Sequence, residues 1–304
     1  MIDTSSLSTV KALRRLEETI RSGKPPVFWV GAGISTFCGY PLWWELGESF
    51  HKSFMMREPD YDSQLGASLL ARSAYPAFFS LCRTVSSREY ARLLVGEFSP
   101  RPATPEYERF LDAIRGYQPI QIVTTNIDER IEQHLPECSI VQRPDIARIV
   151  DLLTYRAPFI AKLHGSVSQI AGTVFTTEDY EELLADQAYQ YVLSDLFMRT
   201  CVVFLGTSLS DEYILRLLQT SDRHKGIFGD GPHFLISDRA QYSVPASVRI
   251  IQYERSSSSG HRALLQTIEH VAPAGCNQTT DVASPVDINS MYLLTAVRLK
   301  FFEN

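Results

Sequence analysis

Apolar residues recur at two different spacings along the chain, and the change of spacing divides it into segments. Residues 8–22 carry apolar side chains three or four positions apart, which predicts an amphipathic helix with Ser8 as its N-cap. Val27-Phe28-Trp29-Val30 is a continuous apolar run that stops at a glycine, as expected of a short buried strand. From about residue 43 to 117 the helical spacing returns without any run of strand type. We therefore expect a mostly helical insertion there.

Short β-rich runs then alternate with helical segments as far as about residue 271. Helices are predicted over 128–134, 211–219 and 261–271. Strands that alternate with helices form right-handed βαβ units, so we predict an α/β fold with a Rossmann-like parallel sheet and helices on both faces. The predicted strands are Ile120–Val123, Ser139–Val141, Pro158–Leu163, Cys201–Leu205, His233–Ile236 and Val248–Ile251.

The last part of the chain has a different composition. Residues 272–285 are rich in Ala, Pro, Gly, Asn and Thr, which is typical of a linker. The apolar groups Met291-Tyr292-Leu293-Leu294 and Phe301-Phe302 follow it. We therefore expect one domain over 1–272, which includes the helical insertion, and then a linker and apolar tail over 273–304.

Composition and charge narrow the class of protein. Of 304 residues, 44% are hydrophobic and 21% charged, which is ordinary globular usage and excludes wholesale disorder. The net charge of −6 makes direct nucleic-acid binding unexpected, because such binding rests on neutralising phosphates. Five widely spaced cysteines form neither a disulfide framework nor a zinc motif. Without a signal peptide or a membrane-length apolar run, we expect a cytoplasmic protein that contacts no membrane.

Four short turns carry the candidate chemistry, and each follows a predicted strand. Taken singly, each has a plain structural reading: a tight turn, an Asn or Ser cap, or a structural histidine. Ligands bind beyond the carboxyl ends of the strands of an open α/β sheet, and all four turns should meet at that edge. The turns are Gly31-Ala32-Gly33-Ile34-Ser35, Thr124-Thr125-Asn126-Ile127-Asp128, Lys162-Leu163-His164-Gly165 and Gly206-Thr207-Ser208.

In this order the four turns resemble the sirtuin superfamily, and the resemblance covers about residues 26 to 271. Protein-deacylating members carry a four-cysteine zinc module after the His-Gly pair, but here Cys201 is the only cysteine between His164 and Gly206. They also carry Pro-Asp-Phe-Arg after the glycine loop, where this chain has Gly39–Leu46. Phe175–Tyr180 and Ser208–Asp211 are similar to the bacterial sirtuin-like branch. Members of that branch hydrolyse NAD in antiphage defence and stop the infected cell by depleting NAD.

The resemblance implies a role for each matching residue. Asn126 and His164 would flank the nicotinamide ribose as catalytic residues, and Asp128 would accept a hydrogen bond from the carboxamide of nicotinamide. NAD would be the substrate, and no step would need a metal. The remaining predicted NAD-binding residues are Gly31, Ala32, Gly33 and Ser35 for the pyrophosphate, Gly206 and Ser208 for a phosphate or the adenosine side, and Ser237 for the adenosine ribose.

Other activities are also compatible with these residues. A deacylase or ADP-ribosyltransferase would use a protein acceptor, and a non-catalytic sensor would bind NAD or ADP-ribose without turnover. No P-loop, H-E-x-x-H or G-x-S-x-G motif is present, and the acidic residue of hydride-transfer dehydrogenases has no clear counterpart. The resemblance further implies that the activity is held off until a protein partner, a nucleotide signal or assembly into a homo-oligomer releases it.

Overall fold

The computed structural model describes residues 6–23, 26–209, 214–220, 233–238, 244–254 and 262–271. Within them, seven strands form one sheet in the order β3-β4-β2-β1-β5-β6-β7, and every hydrogen-bonded pair is parallel. The predicted α/β fold with a parallel sheet is therefore confirmed. The strands are Val27–Val30 (β1), Gln121–Thr124 (β2), Ser139–Gln142 (β3), Phe159–Lys162 (β4), Val202–Leu205 (β5), His233–Ser237 (β6) and Val248–Gln252 (β7).

Successive strand residues point to opposite sides of the sheet, so each strand presents apolar side chains on both faces. Helices cover both of these faces. Phe28 and Val30 of β1 belong to one hydrophobic cluster, and Val27 and Trp29 belong to the other. The described helices are Leu7–Arg21 (α1), Ala32–Ser35 (α2), Trp43–Arg57 (α3), Ser63–Ala71 (α4), Tyr75–Val85 (α5), Ser87–Glu97 (α6), Pro105–Arg115 (α7), Arg130–His134 (α8), Arg148–Thr154 (α9), Thr177–Ala185 (α10), Gln187–Arg199 (α11), 214–220 (α12) and Arg262–Val271 (α13).

The order of the strands creates a switch point beside β1. From β1 the chain passes to β2, β3 and β4 on one side, and then returns to place β5, β6 and β7 on the other side. Val30, the last residue of β1, pairs with Thr124 on one side and with Leu205 on the other. In a doubly wound sheet, ligands bind in the crevice beyond such a switch point.

Five helices, α3 to α7, follow the short α2 between β1 and β2. Many of their buried side chains are aromatic, and these belong to the hydrophobic cluster that also contains Phe28 and Val30 of β1. The rings of Phe50 and Phe79 meet edge to face at 5.2 Å, and Phe50 also meets Tyr90 at 5.7 Å. The side chains with no exposed surface there include Phe50, Phe54, Phe78, Phe79, Phe110 and Leu94.

Several sequence-based expectations differ from the structure. The first helix is capped by Ser6, whose side chain accepts a hydrogen bond from the Thr9 amide at 3.4 Å, so Ser8 is not the N-cap. Helix α8 begins at Arg130 instead of residue 128, and the Asp128 carboxylate accepts a hydrogen bond from the Arg130 amide at 3.2 Å just before it. Helices α9, α10 and α11 were not predicted.

The segments 273–304 and 210–213 lie outside the described residues. The predicted linker and tail, the start of the predicted helix over 211–219 and the domain boundaries therefore stay predictions. Among the described helices, none is both long enough and apolar enough to cross a lipid bilayer.

Candidate active site at the carboxyl edge of the sheet

The turns after β1 and β5 pack directly against each other. The Gly31 amide donates to the Leu205 carbonyl and the Gly33 amide donates to the Gly206 carbonyl, each at 2.8 Å. A Cβ atom at Gly33 would lie 2.8 Å from that Gly206 carbonyl oxygen, so only glycine permits this approach. Gly206 itself has a φ of 63°, in the left-handed region that favours glycine.

The glycines of the Gly31–Ser35 turn contact another loop of the same chain. The sequence predicts that its glycines let the backbone approach a pyrophosphate. In the structure they let two loops of the same chain approach each other, and the Gly31 and Gly33 N–H groups already donate to carbonyls. The cradle for the pyrophosphate, including Ala32 at the first position of α2, stays a prediction.

Asn126 is bound to the glycine loop through its side chain. Its Nδ2 atom donates to the Gly31 carbonyl oxygen at 3.0 Å and to Ser35 Oγ at 2.9 Å. A carbonyl oxygen can only accept, so the contact with Gly31 fixes which way the amide group points. The backbone at Asn126 is held by a bond from its amide to Thr124 Oγ1 at 3.0 Å. No described residue donates to Asn126 Oδ1, which is left as an acceptor.

Ser35 joins Asn126 to Asp128. The Ser35 hydroxyl accepts from Asn126 and donates to Asp128 Oδ2 at 2.6 Å. Asp128 is only 2% exposed, and its other oxygen accepts from the Arg130 amide at 3.2 Å. Because its one hydrogen goes to Asp128, the Ser35 hydroxyl has none to donate to a phosphate. The structure therefore brings Ser35, Asn126 and Asp128 together in one buried hydrogen-bonded chain.

His164 follows the neighbouring strand β4 by two residues, as Asn126 follows β2. Thr124 and Lys162 are paired in register, and Asn126 and His164 each follow two residues later. Gly165, with a φ of 77°, makes the sharp turn predicted after the histidine. The imidazole is buried, and the ring of Tyr180 on α10 meets it edge to face at 5.5 Å.

The remaining predicted residues lie on the other side of β1. Ser208 follows β5 and is exposed, whereas Ser237 ends β6 and is 5% exposed. The Ser237 carbonyl accepts from the Tyr253 amide at 2.9 Å. These residues occupy the same edge of the sheet as Asn126 and His164, but no hydrogen bond that includes Asn126 reaches them.

Sequence reasoning assigned no role to a buried pair of charged residues beside this site. The Lys162 ammonium lies 2.6 Å from Glu132 Oε1, and the lysine side chain is 1% exposed. Burial raises the pKa of the Glu132 carboxyl, and the neighbouring Lys162 charge opposes that effect. A lysine at the end of an otherwise apolar strand was the available signal.

Four of the five cysteines lie in the described part of the chain. Cys38, Cys82, Cys138 and Cys201 are buried free thiols. Burial raises the pKa of Cys82 and Cys138 to about 12, which keeps both as neutral thiols. Among the described residues no group of His, Cys, Asp and Glu side chains is arranged to hold a metal ion.

A doubly wound parallel sheet with glycine-rich and polar turns at its switch point is the architecture of nucleotide-binding α/β proteins. Within that class, residues 120–257 match the SIR2-like domain family. That range includes Asn126, Asp128, His164 and Gly206, whereas the glycine loop precedes it. The resemblance to the sirtuin superfamily is therefore confirmed.

Two curated relatives extend the similarity towards the start of the chain. One is named NAD(+) hydrolase ThsA, from Enterococcus faecium, and is 27% identical over 215 residues, which are 68% of this chain and 41% of the relative. The other is named Defense-associated sirtuin 2, from Bacillus subtilis, and is 24% identical over 239 residues, which are 73% of this chain and 22% of the relative. The chain thus spans less than half the length of each.

Proposed function

We propose that this protein is an NAD hydrolase that cleaves the bond between nicotinamide and ribose to give nicotinamide and ADP-ribose. One observation carries the proposal. The donor side of the Asn126 amide is fixed by Gly31 and Ser35, and its acceptor atom Oδ1 remains for a ligand, in the turn after β2, the strand beside β4, which His164 follows by two residues. The name of the relative from Enterococcus faecium supports the same activity.

The reaction needs positioning and one base. The bond from the ribose carbon to the pyridinium nitrogen breaks, and its electron pair leaves with nicotinamide. A water oxygen then bonds to the ribose carbon, and His164 accepts a proton from that water. General base catalysis of this kind contributes about 10²–10⁴ in rate. Asn126 Oδ1 orients the water or a ribose hydroxyl by accepting a hydrogen bond, without adding a charge.

The remaining parts of NAD would lie on the two sides of the switch point. Asp128 would accept a hydrogen bond from the carboxamide of nicotinamide, since Ser35 and the Arg130 amide already hold its carboxylate in place. The pyrophosphate would cross the Gly31–Ser35 turn. The adenosine side would then lie by Gly206, Ser208 and Ser237, on the far side of β1.

The biological role that we propose is antiphage defence in the cytoplasm, in which loss of NAD stops the infected cell. The name of the relative from Bacillus subtilis supports a defence role. Such an activity must be held off in a healthy cell. We propose that a protein partner, a nucleotide signal or assembly into a homo-oligomer releases it, and that neither a metal nor bound nucleic acid takes part in the chemistry.

The direct test is to incubate the purified protein with NAD and to measure nicotinamide by chromatography, with and without candidate triggers. Asn126→Ala should lower the rate at least about 100-fold, since it removes a positioning group at the reacting carbon. Gln133→Ala, which truncates an exposed amide one helical turn into α8, is the control and should retain the wild-type rate. An active Asn126→Ala protein would contradict the role of this residue.

Mass spectrometry of the products separates hydrolysis from the alternatives. Free ADP-ribose with water as the acceptor supports the proposal. A modified protein or peptide acceptor would instead indicate a transferase or deacylase. Binding of NAD by calorimetry, with no nicotinamide released under any trigger, would indicate a sensor and contradict the proposed activity.

A further inference from the structure

Lys162 is buried to a degree that is rare for a lysine. Its side chain is 1% exposed at the end of β4. Burying a charged group costs several kcal/mol unless the group is paired and hydrogen-bonded. The ammonium group forms an ion pair with the Glu132 carboxylate on α8, with Oε1 at 2.6 Å, and it donates a hydrogen bond to the backbone carbonyl oxygen of Asp128.

The contact with Asp128 joins the end of β4, which His164 follows, to the turn that carries Asn126. Thr124 and Lys162 are paired across β2 and β4, and from Thr124 the chain loops out through Asn126. It returns so that the Asp128 carbonyl meets the Lys162 ammonium. Lys162 therefore closes the Thr124–Asp128 turn, and it lies two residues before His164 in the sequence. No other described side chain bonds to the backbone of Asp128 from β4.

Stability alone explains this arrangement poorly. Both carboxylate oxygens of Glu132 are buried, and neither has a hydrogen-bond partner of suitable geometry among the described residues, so Lys162 meets Oε1 as an ion pair only. Replacing a buried ion pair with apolar residues of similar volume is often neutral or stabilising. A pair that is only partly satisfied contributes little net stability, so the polar contacts it makes with the Asp128 turn are its distinctive property.

We propose that Lys162, held by Glu132, is a positioning residue that sets the Asn126–Asp128 turn relative to His164. The inference rests on the proposed hydrolysis of NAD. Lys162 does not itself touch the reacting atoms, because its ammonium bonds to a backbone carbonyl and to Glu132. A displacement of about 1 Å in such a site costs about 100-fold in rate.

The test is the double variant Lys162→Met with Glu132→Leu, which removes both charges and keeps similar volumes. The kcat for nicotinamide release should fall about 10- to 100-fold, KM for NAD should change less than about threefold, and the melting temperature should stay within a few degrees. The control is Arg143→Gln with Glu182→Gln, a 2.6 Å ion pair near β3 with one exposed member. This control should keep the wild-type kcat. An unchanged kcat in the Lys162–Glu132 variant would overturn the inference.

Two further measurements keep the inference testable if the first variant fails. Should the double variant not fold, Glu132→Gln removes the charge of the partner while keeping its shape, and it should also lower kcat.

Should the wild type release no nicotinamide, the proposed function fails, and the imidazole NMR signals of His164 become the readout. Those signals, assigned with His164→Gln, should shift in the Lys162–Glu132 variant but not in the control. Unshifted signals would reject the positioning role on their own.

Discussion

Different interactions hold the carboxyl edge of the sheet and the helices α3 to α7 together. At the edge, buried polar side chains bond to each other across long stretches of chain, as Ser35 does to Asp128, 93 residues away. In the helices, aromatic rings pack against each other, as Phe50 does against Phe79 and Tyr90.

The two regions therefore contribute differently to the geometry of the site and to the stability of the fold. Hydrogen bonds are directional and each contributes only about 1 kcal/mol net, so the edge holds particular orientations without supplying most of the folding free energy. Aromatic burial is less directional and contributes several kcal/mol per side chain. We therefore expect substitutions at the edge to affect activity first and substitutions in the helices to affect stability first.

The largest expected effect is on stability in the helical segment. Phe50→Ala removes a ring that has no exposed surface and should lower the free energy of unfolding by about 3–5 kcal/mol, because a cavity remains. Urea denaturation measures the change, and activity per folded molecule should be unchanged. Met56→Ala, at a 69% exposed position of the same helix, should cost less than about 0.5 kcal/mol. An equal loss in both variants would contradict the aromatic packing.

The next effect tests the contact between the turns after β1 and β5. Gly33→Ala would place a Cβ 2.8 Å from the Gly206 carbonyl oxygen, so the two backbones must move apart. We expect a loss of about 1–3 kcal/mol and weaker NAD binding by calorimetry. Gly96→Ala is the matched control, because its Cβ would meet nothing within 4 Å and alanine favours a helix. If Gly33→Ala were as stable and bound NAD as well as this control, the close approach of the two turns would not be needed.

A smaller effect is expected where the two regions meet. Arg83 of α5 lies 2.6 Å from Asp179, which caps α10, the helix whose Tyr180 contacts His164. Arg83→Gln removes two partly exposed ion pairs, with Asp179 and with Glu178, and should cost less than about 1 kcal/mol. The nicotinamide release rate should stay within about twofold, because the backbone bonds of the cap still hold α10. A tenfold fall would show that the helical segment controls the site.

The smallest effect is a pH dependence confined to the helices. The Arg92 guanidinium bonds to Glu89 and, with Ser53, outweighs the effect of burial and lowers the pKa of that carboxyl from 4.5 to about 2. The carboxylate then stabilises the fold above about pH 4.5, and this contribution disappears as the pH falls towards 2. The stability difference between wild type and Glu89→Gln should shrink over that interval.

Urea denaturation at several pH values measures this difference, and nicotinamide release at neutral pH should not change. Glu48→Gln, on the exposed face of α3, is the control and should show no such trend. A Glu89→Gln difference that stays constant down to the lowest pH would contradict the assigned contact.

The strands and the edge of the sheet were predictable because their signals are local. A short apolar run such as Val27–Val30 can be satisfied only by burial on both faces, and all four of its residues are buried. A glycine or a polar turn directly after such a run marks the end of a strand, and the carboxyl ends of parallel strands share one edge. The candidate residues Asn126 and His164 could therefore be chosen from the sequence.

Only the tertiary structure decided which of these residues touch. The bonds from Ser35 to Asp128, from Gly33 to Gly206 and from Lys162 to the Asp128 carbonyl join segments that are far apart in the sequence. The same holds for the strand order, in which β3 lies outside β4. A linear pattern determines which face a residue presents and where an element ends, because those follow from backbone geometry within a few residues. Which partner it meets depends on how all the elements pack at once, since each contact must fit the space the others leave.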